Sequence, residues 1–459
     1  MKKIKNMKFT GIRCRMKKRG QKIGILVFFS FFLLSVEAQE IYDLKRVLAV
    51  GLEHNYDIRI VRNEQQIADN NVTRGNAGML PNLDVQAGYN GSITNIGQKM
   101  ADQTEVHYSS IFNQGATLGL NLNWTVFDGF SMQTNYARLK ELQKMGEISV
   151  RLAIEDLIST LASGYYTYVR QNLRLNNLKY AVSLSRERLR IVEARYNMGS
   201  MSRLDLQQAR VDFNADSSSL IKQYEVVQTS AITLNQIMAL EDVSQKLYVS
   251  DTTIVADKGL EETSLWKNTL ETNSNLLLSQ KNKMLSELDL KALQSRNYPY
   301  LRLNAAYGYS LNAYDTKNSS VERQNNRGFT YGFTLGYALF DGMNRKREQK
   351  NANIAIQNRE WEYKQLELAL KANLSAMWMA YRNNIELTNL EAENLEAARE
   401  NYEIAMERYR LGELSGIELR EAQNSLLEAG ERLFQAQLDT KLCEISLLQI
   451  SGRITDYLD

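Results

Sequence analysis

Apolar and polar positions along this chain follow two rhythms. Residues 83–90, 117–127, 301–311 and 329–340 alternate with period two, the mark of strands whose faces meet different surroundings. In the second of these, Leu118, Leu120, Leu122, Trp124 and Val126 share one face, opposite Thr117, Gly119, Asn121, Asn123 and Thr125. In the fourth, Phe329, Tyr331, Phe333, Leu335, Tyr337 and Leu339 oppose Thr330, Gly332, Thr334, Gly336 and Ala338. A greasy, aromatic face backed by a small, polar one fits a strand between lipid and a water-filled lumen. A soluble antiparallel sheet with one buried face alternates too. The remainder has helical spacing: Leu419, Ala422, Leu426, Ala429, Leu433, Ala436, Thr440, Cys443, Leu447 and Ile450 step 3-4-3-4, a seam for close packing on neighbouring helices. The matching stripe through Leu206, Ala209, Phe213 and Leu220 is broken by Asp216 and Gln223, so this helix is expected to pack around something wet or to use the polar pair to fix its register.

These elements occur twice. Phe127-Asp128-Gly129 returns as Phe340-Asp341-Gly342 at an offset of 213, which also carries Tyr196 to Tyr409, Gly199 to Gly412, Ser202 to Ser415 and Leu206 to Leu419. Upstream the offset is 218, taking Asn55 to Asn273 and Pro81 to Pro299. Each copy therefore reads as one unit: helix up to the proline, β-hairpin, very long helix, turn, second helix. The first copy spans 39–240 (hairpin 82–127, long helix 130–197, turn 198–202, helix 203–240). The second spans 263–453 (hairpin 300–340, long helix 343–410, turn 411–415, helix 416–453). Residues 241–262 form an equatorial linker and 454–459 a short tail. The polar stretches 92–115 and 312–328 are expected to be long external loops, and Asp128 and Asp341 to cap the helices that follow them. A helix from 130 to 197 runs on the order of 100 Å, too long for any globular core.

Composition changes the picture in three ways. Pro81 and Pro299 are the only prolines, so helices run without breakers. Residues 1–38 carry ten Lys/Arg ahead of an apolar run too short to span a bilayer, a secretory signal peptide. The remaining chain has 46 basic and 52 acidic side chains, which removes the basic balance a nucleic-acid partner would need. Cys443 is the one cysteine left after the signal; no intrachain disulfide is possible, and it reads as a small seam residue.

No catalytic grammar is present. His54 and His107 lack partners at metal-ligand spacing, and neither a phosphate loop nor a nucleophile elbow occurs. No enzyme, cofactor or metal is expected. Asp205, Glu418 and Glu421 lie close to helix starts, where negative charge is stabilising; gathered from several subunits, they become rings favouring cations.

Taken together, the tandem repeat, the prolines, the two Phe-Asp-Gly motifs and the two Tyr-x-x-Gly-x-x-Ser turns resemble the TolC family of outer-membrane efflux channels. The resemblance implies a mainly α fold with membrane β: a periplasmic α-barrel of long helical hairpins, plus two β-hairpins giving four strands to a trimeric twelve-stranded barrel. It implies a passive channel of an efflux or type I secretion system in the cell outer membrane. Its partners would be two further copies, a periplasmic adaptor, an inner-membrane transporter and outer-membrane lipid. Gly199, Ser202, Gly412 and Ser415 would form adaptor-docking tips, and Asp205, Tyr409, Glu418 and Glu421 the gated pore entrance. Leu414 departs from the pattern, standing where the best-known member has an arginine that pairs with the tip acid, with Arg203 and Arg410 as candidates to replace it. The competing reading is a non-transporting periplasmic spacer or adaptor; it gives the greasy strand faces no use.

Overall fold

The computed structural model describes residues 41–317 and 319–458; the expected signal peptide lies outside them. The first repeat opens with a two-residue strand β1 (Ile41–Tyr42), then helices α1 (Leu44–His54) and α2 (Tyr56–Asn71), strands β2 (Asn82–Lys99) and β3 (Glu105–Phe127), and helices α3 (Ser131–Asn197) and α4 (Arg203–Ile237). After β4 (Tyr248–Val249) the second repeat gives α5 (Glu262–Thr272), α6 (Ser274–Ser295), β5 (Tyr300–Ala313), β6 (Arg323–Gly336), α7 (Asn344–Leu411) and α8 (Gly416–Ile450). A 3-10 turn, Ile454–Leu458, closes the described chain.

The helix expected ahead of each proline is in fact two, and the matched asparagines make the break. Asn55 Oδ1 accepts from the Asp57 and Ile58 amides (2.9 and 3.3 Å), capping α2, while its Nδ2 donates to the Ile237 carbonyl at 3.2 Å. Asn273 repeats this, accepting from Leu276 N at 3.1 Å and donating to Ile450 O at 2.9 Å. One side chain thus starts a helix and satisfies the end of another.

Strands β2, β3, β5 and β6 form one antiparallel sheet in that order. The register sets Val85, Leu120, Tyr307 and Phe329 in one rank, and Gln86, Gly119, Gly308 and Gly328 in the next. Every strand therefore turns its greasy side the same way. The loops are shorter than expected. Residues 92–115 are mostly strand, paired out to Lys99 and Glu105 through a bulge at Thr94/Ile96. Beyond the apolar band both faces are polar, so the hydrophobic period vanishes while the hydrogen-bond ladder continues. Strand β5 likewise runs to Ala313 and β6 starts at Arg323. In the other direction β6 stops at Gly336, four residues before Phe340, because its partner begins at Tyr300 behind Pro299.

Strand returns to helix through a two-residue left-handed elbow: φ is +71° at Gly129 and +72° at Phe130, +68° at Gly342 and +63° at Met343. The preceding aspartate holds the elbow. Asp128 Oδ1 accepts from Met132 N at 3.1 Å and Asp341 Oδ2 from Arg345 N at 3.0 Å.

Helix α3 packs against α4 and α8, and α7 packs against α8; nearer the sheet α6 lies between α3 and α7. The largest core gathers Val47, Leu48, Leu161, Tyr165, Leu234 and Ile445 where α1, α3, α4 and α8 meet. Both polar residues on the α4 stripe are buried and satisfied. Asp216 takes a bidentate bond from Arg420 of α8 (2.7 and 2.8 Å), and Gln223 donates to the backbone and side chain of Gln171 (3.1 and 3.0 Å). The seam is sealed by protein, the register-fixing alternative. Cys443 is half-buried and accepts from Asn384 Nδ2 at 3.6 Å; burial pushes its thiol up, away from reactivity.

A Cβ at Gly129 would lie 2.2 Å from the Ser295 carbonyl oxygen, whereas one at Gly328 meets nothing within 4 Å. Gly129→Ala should therefore cost upwards of about 1 kcal/mol, the left-handed penalty alone, and lower the thermal midpoint followed by circular dichroism. Gly328→Ala should leave that midpoint unchanged.

Candidate functional site

Both Tyr-x-x-Gly-x-x-Ser stretches form the turns between long antiparallel helices, and they share one geometry. Gly199 and Gly412 have φ of +78° and +87° with open space where a Cβ would sit; the requirement is conformational, not steric. Gly199 N donates to Tyr196 O and Ser200 N to Arg195 O, both at 2.9 Å; Gly412 N donates to Tyr409 O at 3.1 Å and Glu413 N to Arg408 O at 2.9 Å. This is a Schellman stop in each copy. A capping box follows at once. Ser202 Oγ accepts from Asp205 N at 3.2 Å while Asp205 Oδ2 accepts from the Ser202 amide at 3.2 Å. Ser415 Oγ accepts from Glu418 N at 3.3 Å and Glu418 Oε2 from the Ser415 amide at 2.9 Å. Only two residues separate the stop glycine from the start serine in each copy.

The structure brings Gly199, Ser202 and Asp205 together in one tip and Gly412, Ser415 and Glu418 in the other, with Glu421 exposed one turn further along α8. Tyr409 is set apart from these: it is buried against Val192, Leu206, Leu419 and Ala422 in a small core beneath the tips. Burial pushes its phenol above the ordinary value despite the nearby Arg188 and Arg195 charges, so the ring stays neutral.

Neither candidate arginine reaches Asp205. Arg410 lies 3.9 Å from Glu187, and among the described residues Arg203 forms no ion pair. Leu414 packs against the tip core instead. The two hairpins are joined by an arginine of α3 that sequence reasoning passed over. Arg195 Nη2 donates to the carbonyls of Tyr409 (3.0 Å) and Arg410 (2.8 Å), with its guanidinium 5.3 Å from the centre of the Tyr409 ring. A cation on the last carbonyls of α7 also meets the negative end of the helix dipole. One heptad earlier, buried Arg188 pairs with Asp212 of α4 at 2.8 Å. The available signal was positional: Arg188 and Arg195 share a heptad position on a stripe otherwise apolar.

Among the described residues no helix is long and apolar enough to cross a membrane, and no group of three His, Cys, Asp or Glu could hold a metal. What the sheet exposes is large: Tyr89, Leu118, Tyr307, Phe329, Tyr331 and Phe333 all stand in solvent on one face. A profile of the family described as "Outer membrane efflux protein" matches residues 48–240 and 265–453, taking in both hairpins and both tips. The chain belongs to that family. Its sequence is 22% identical over 425 residues to the outer membrane protein TolC of Vibrio cholerae, covering 90% of this chain and 91% of that one. Among solved structures, the CmeC outer membrane channel of Campylobacter jejuni superposes with a TM-score of 0.74 at 16% identity, over 89% of this chain and 85% of the other. The outer membrane protein VceC of Vibrio cholerae gives 0.71 at 16%, over 89% and 96%. The chain is thus a TolC-family outer-membrane protein with a helical barrel and a β domain.

The Ser415 amide holds the Glu418 carboxyl below its ordinary pKa. With the folded value depressed, the cap contributes above the ordinary carboxylate range and is lost as pH falls through the lowered value. Amide exchange at Ser415 should accordingly accelerate at acidic pH beyond its intrinsic trend, and Glu418→Gln should abolish that excess. Replacing Ser202 or Ser415 by Ala should remove about 1 kcal/mol of local stability at its own tip, read as lost protection of the Asp205 or Glu418 amide.

Proposed function

We propose that three copies of this chain close into one outer-membrane channel that conducts substrates passively from an inner-membrane transporter and a periplasmic adaptor to the cell exterior. The carrying observation is the sheet. Among the described residues its edge strands β2 and β6 are each paired on one side only, and its exposed apolar face suits lipid, which offers the open edges no hydrogen-bond partners. Backbone groups in a bilayer must all be paired, so a membrane sheet has to close on itself. Bacterial barrels need about eight strands or more; three copies of four supply twelve and join β6 of one to β2 of the next.

The helices support the same arrangement. In the tip half the edge helices are α4 and α7, and each keeps an exposed apolar stripe: Leu204, Val211 and Ile221 on one, Leu390, Ile404 and Leu411 on the other. Such stripes suit a second copy. In this reading Gly199, Ser202, Gly412 and Ser415 present the turns that meet the adaptor. Asp205, Glu418 and Glu421 ring the entrance, and Tyr409 braces it from behind. The chain supplies no chemistry or energy; the transporter does. Relatives described as outer-membrane channels support this assignment over a periplasmic spacer, and the aromatic sheet face has no role in a spacer.

Protein purified in detergent should have the mass of a trimer and conduct ions in planar bilayers. A monomer without conductance would remove the proposal. Glu418→Gln combined with Glu421→Gln should reduce cation preference in the same bilayers, and unchanged selectivity would take these two acids out of the entrance.

A further inference from the structure

The internal repeat makes the tip contacts of one chain a template for contacts between chains. In the tip half the helices lie in the order α4, α3, α8, α7, and the repeat equates α3 with α7 and α4 with α8. The step from the first hairpin to the second is therefore the step a ring repeats from the second hairpin to the first hairpin of the next copy.

Across the intrachain step, Arg195 of α3 clasps the carbonyls of Tyr409 and Arg410 at the end of α7. Its repeat-mate at the 213 offset is Arg408. Within the chain Arg408 makes only a loose surface pair: its side chain is 55% exposed and its Nε stands 3.9 Å from Glu413. The mates of the clasped carbonyls are those of Tyr196 and Asn197, and among the described residues no side chain donates to either. The tyrosines report the same asymmetry. Tyr409, under Arg195, is 1% exposed, while Tyr196, at the equivalent place, is 38% exposed.

We propose that Arg408 of each copy donates to the Tyr196 and Asn197 carbonyls of the next and covers that Tyr196 ring. This rests on the ring reading above. The six tips would then be tied by one contact used six times, three within chains and three between them. Charge favours it: a guanidinium on the last carbonyls of a helix meets their partial negative charge, and the Schellman bond to Tyr196 O leaves that oxygen a second lone pair.

The test uses the full protein in detergent. Two populations, one carrying Arg408→Cys and the other Asn197→Cys, are co-expressed and treated with a short bis-maleimide; both positions are exposed, so folding is not at risk. Each variant alone controls for Cys443. A linked dimer in the mixture, absent from both controls, is the expected result. An intact ring with no linked species overturns the clasp and spares the ring, whereas a monomer overturns both. A parallel series separates an arginine contact from mere proximity. Arg408→Ala should lower the temperature at which the ring dissociates, and Arg408→Lys should lower it less; equal dissociation temperatures for all three proteins overturn the clasp.

Discussion

Backbone hydrogen bonding at the two sheet edges constrains everything else in this protein. A four-stranded sheet with an apolar outer face and two open edges has no stable home by itself, because lipid offers no partners for the edge amides and carbonyls. In the proposed ring, repetition of the chain closes the sheet, and repetition demands that each unit join head to tail. The tandem duplication already solves that problem inside one chain, where β3 pairs with β5 in the way the proposed ring has β6 pair with a following β2. The helices inherit the rule, since they continue the same strands.

Local chemistry then fixes angles that a long helix could not fix alone. Each transition is decided by one or two residues with a left-handed backbone or a capping side chain: a left-handed pair behind an aspartate at the sheet end, a Schellman glycine and a capping serine at the far end, an asparagine serving two helices midway. Between these points the helices need only pack. The buried Asp216–Arg420 pair and the Gln223–Gln171 bond add specific partners to seams otherwise built largely of Ala and Leu.

Much of this was legible in sequence because repetition doubles every signal. The Phe-Asp-Gly and Tyr-x-x-Gly-x-x-Ser motifs are weak singly, and their order in two copies made the fold class and the tips readable. Three things were not. Strand length beyond the bilayer leaves no hydrophobic period, so residues 92–99 and 105–115 looked like loop although their backbone stays paired. The Asn55 and Asn273 breaks fall inside good helical composition, and their second role depends on a helix end far away in the chain. The tie between hairpins was sought as an ion pair near Leu414; it is made by Arg195 to backbone carbonyls, and carbonyl acceptors leave no trace in side-chain identity.

The elbows at Gly129–Phe130 and Gly342–Met343 have a mechanical meaning. A polypeptide linker between a membrane anchor and a long lever would let the lever swing, and force at its free end would be spent on the hinge. Here each lever leaves its strand after two residues, both held left-handed and both bridged by an aspartate to the first helical turn. A displacement of the tip can relax only by bending the helix along its length or by rotating the helix about its own axis. The elbows thus pass load at a tip into the strands rather than into a hinge.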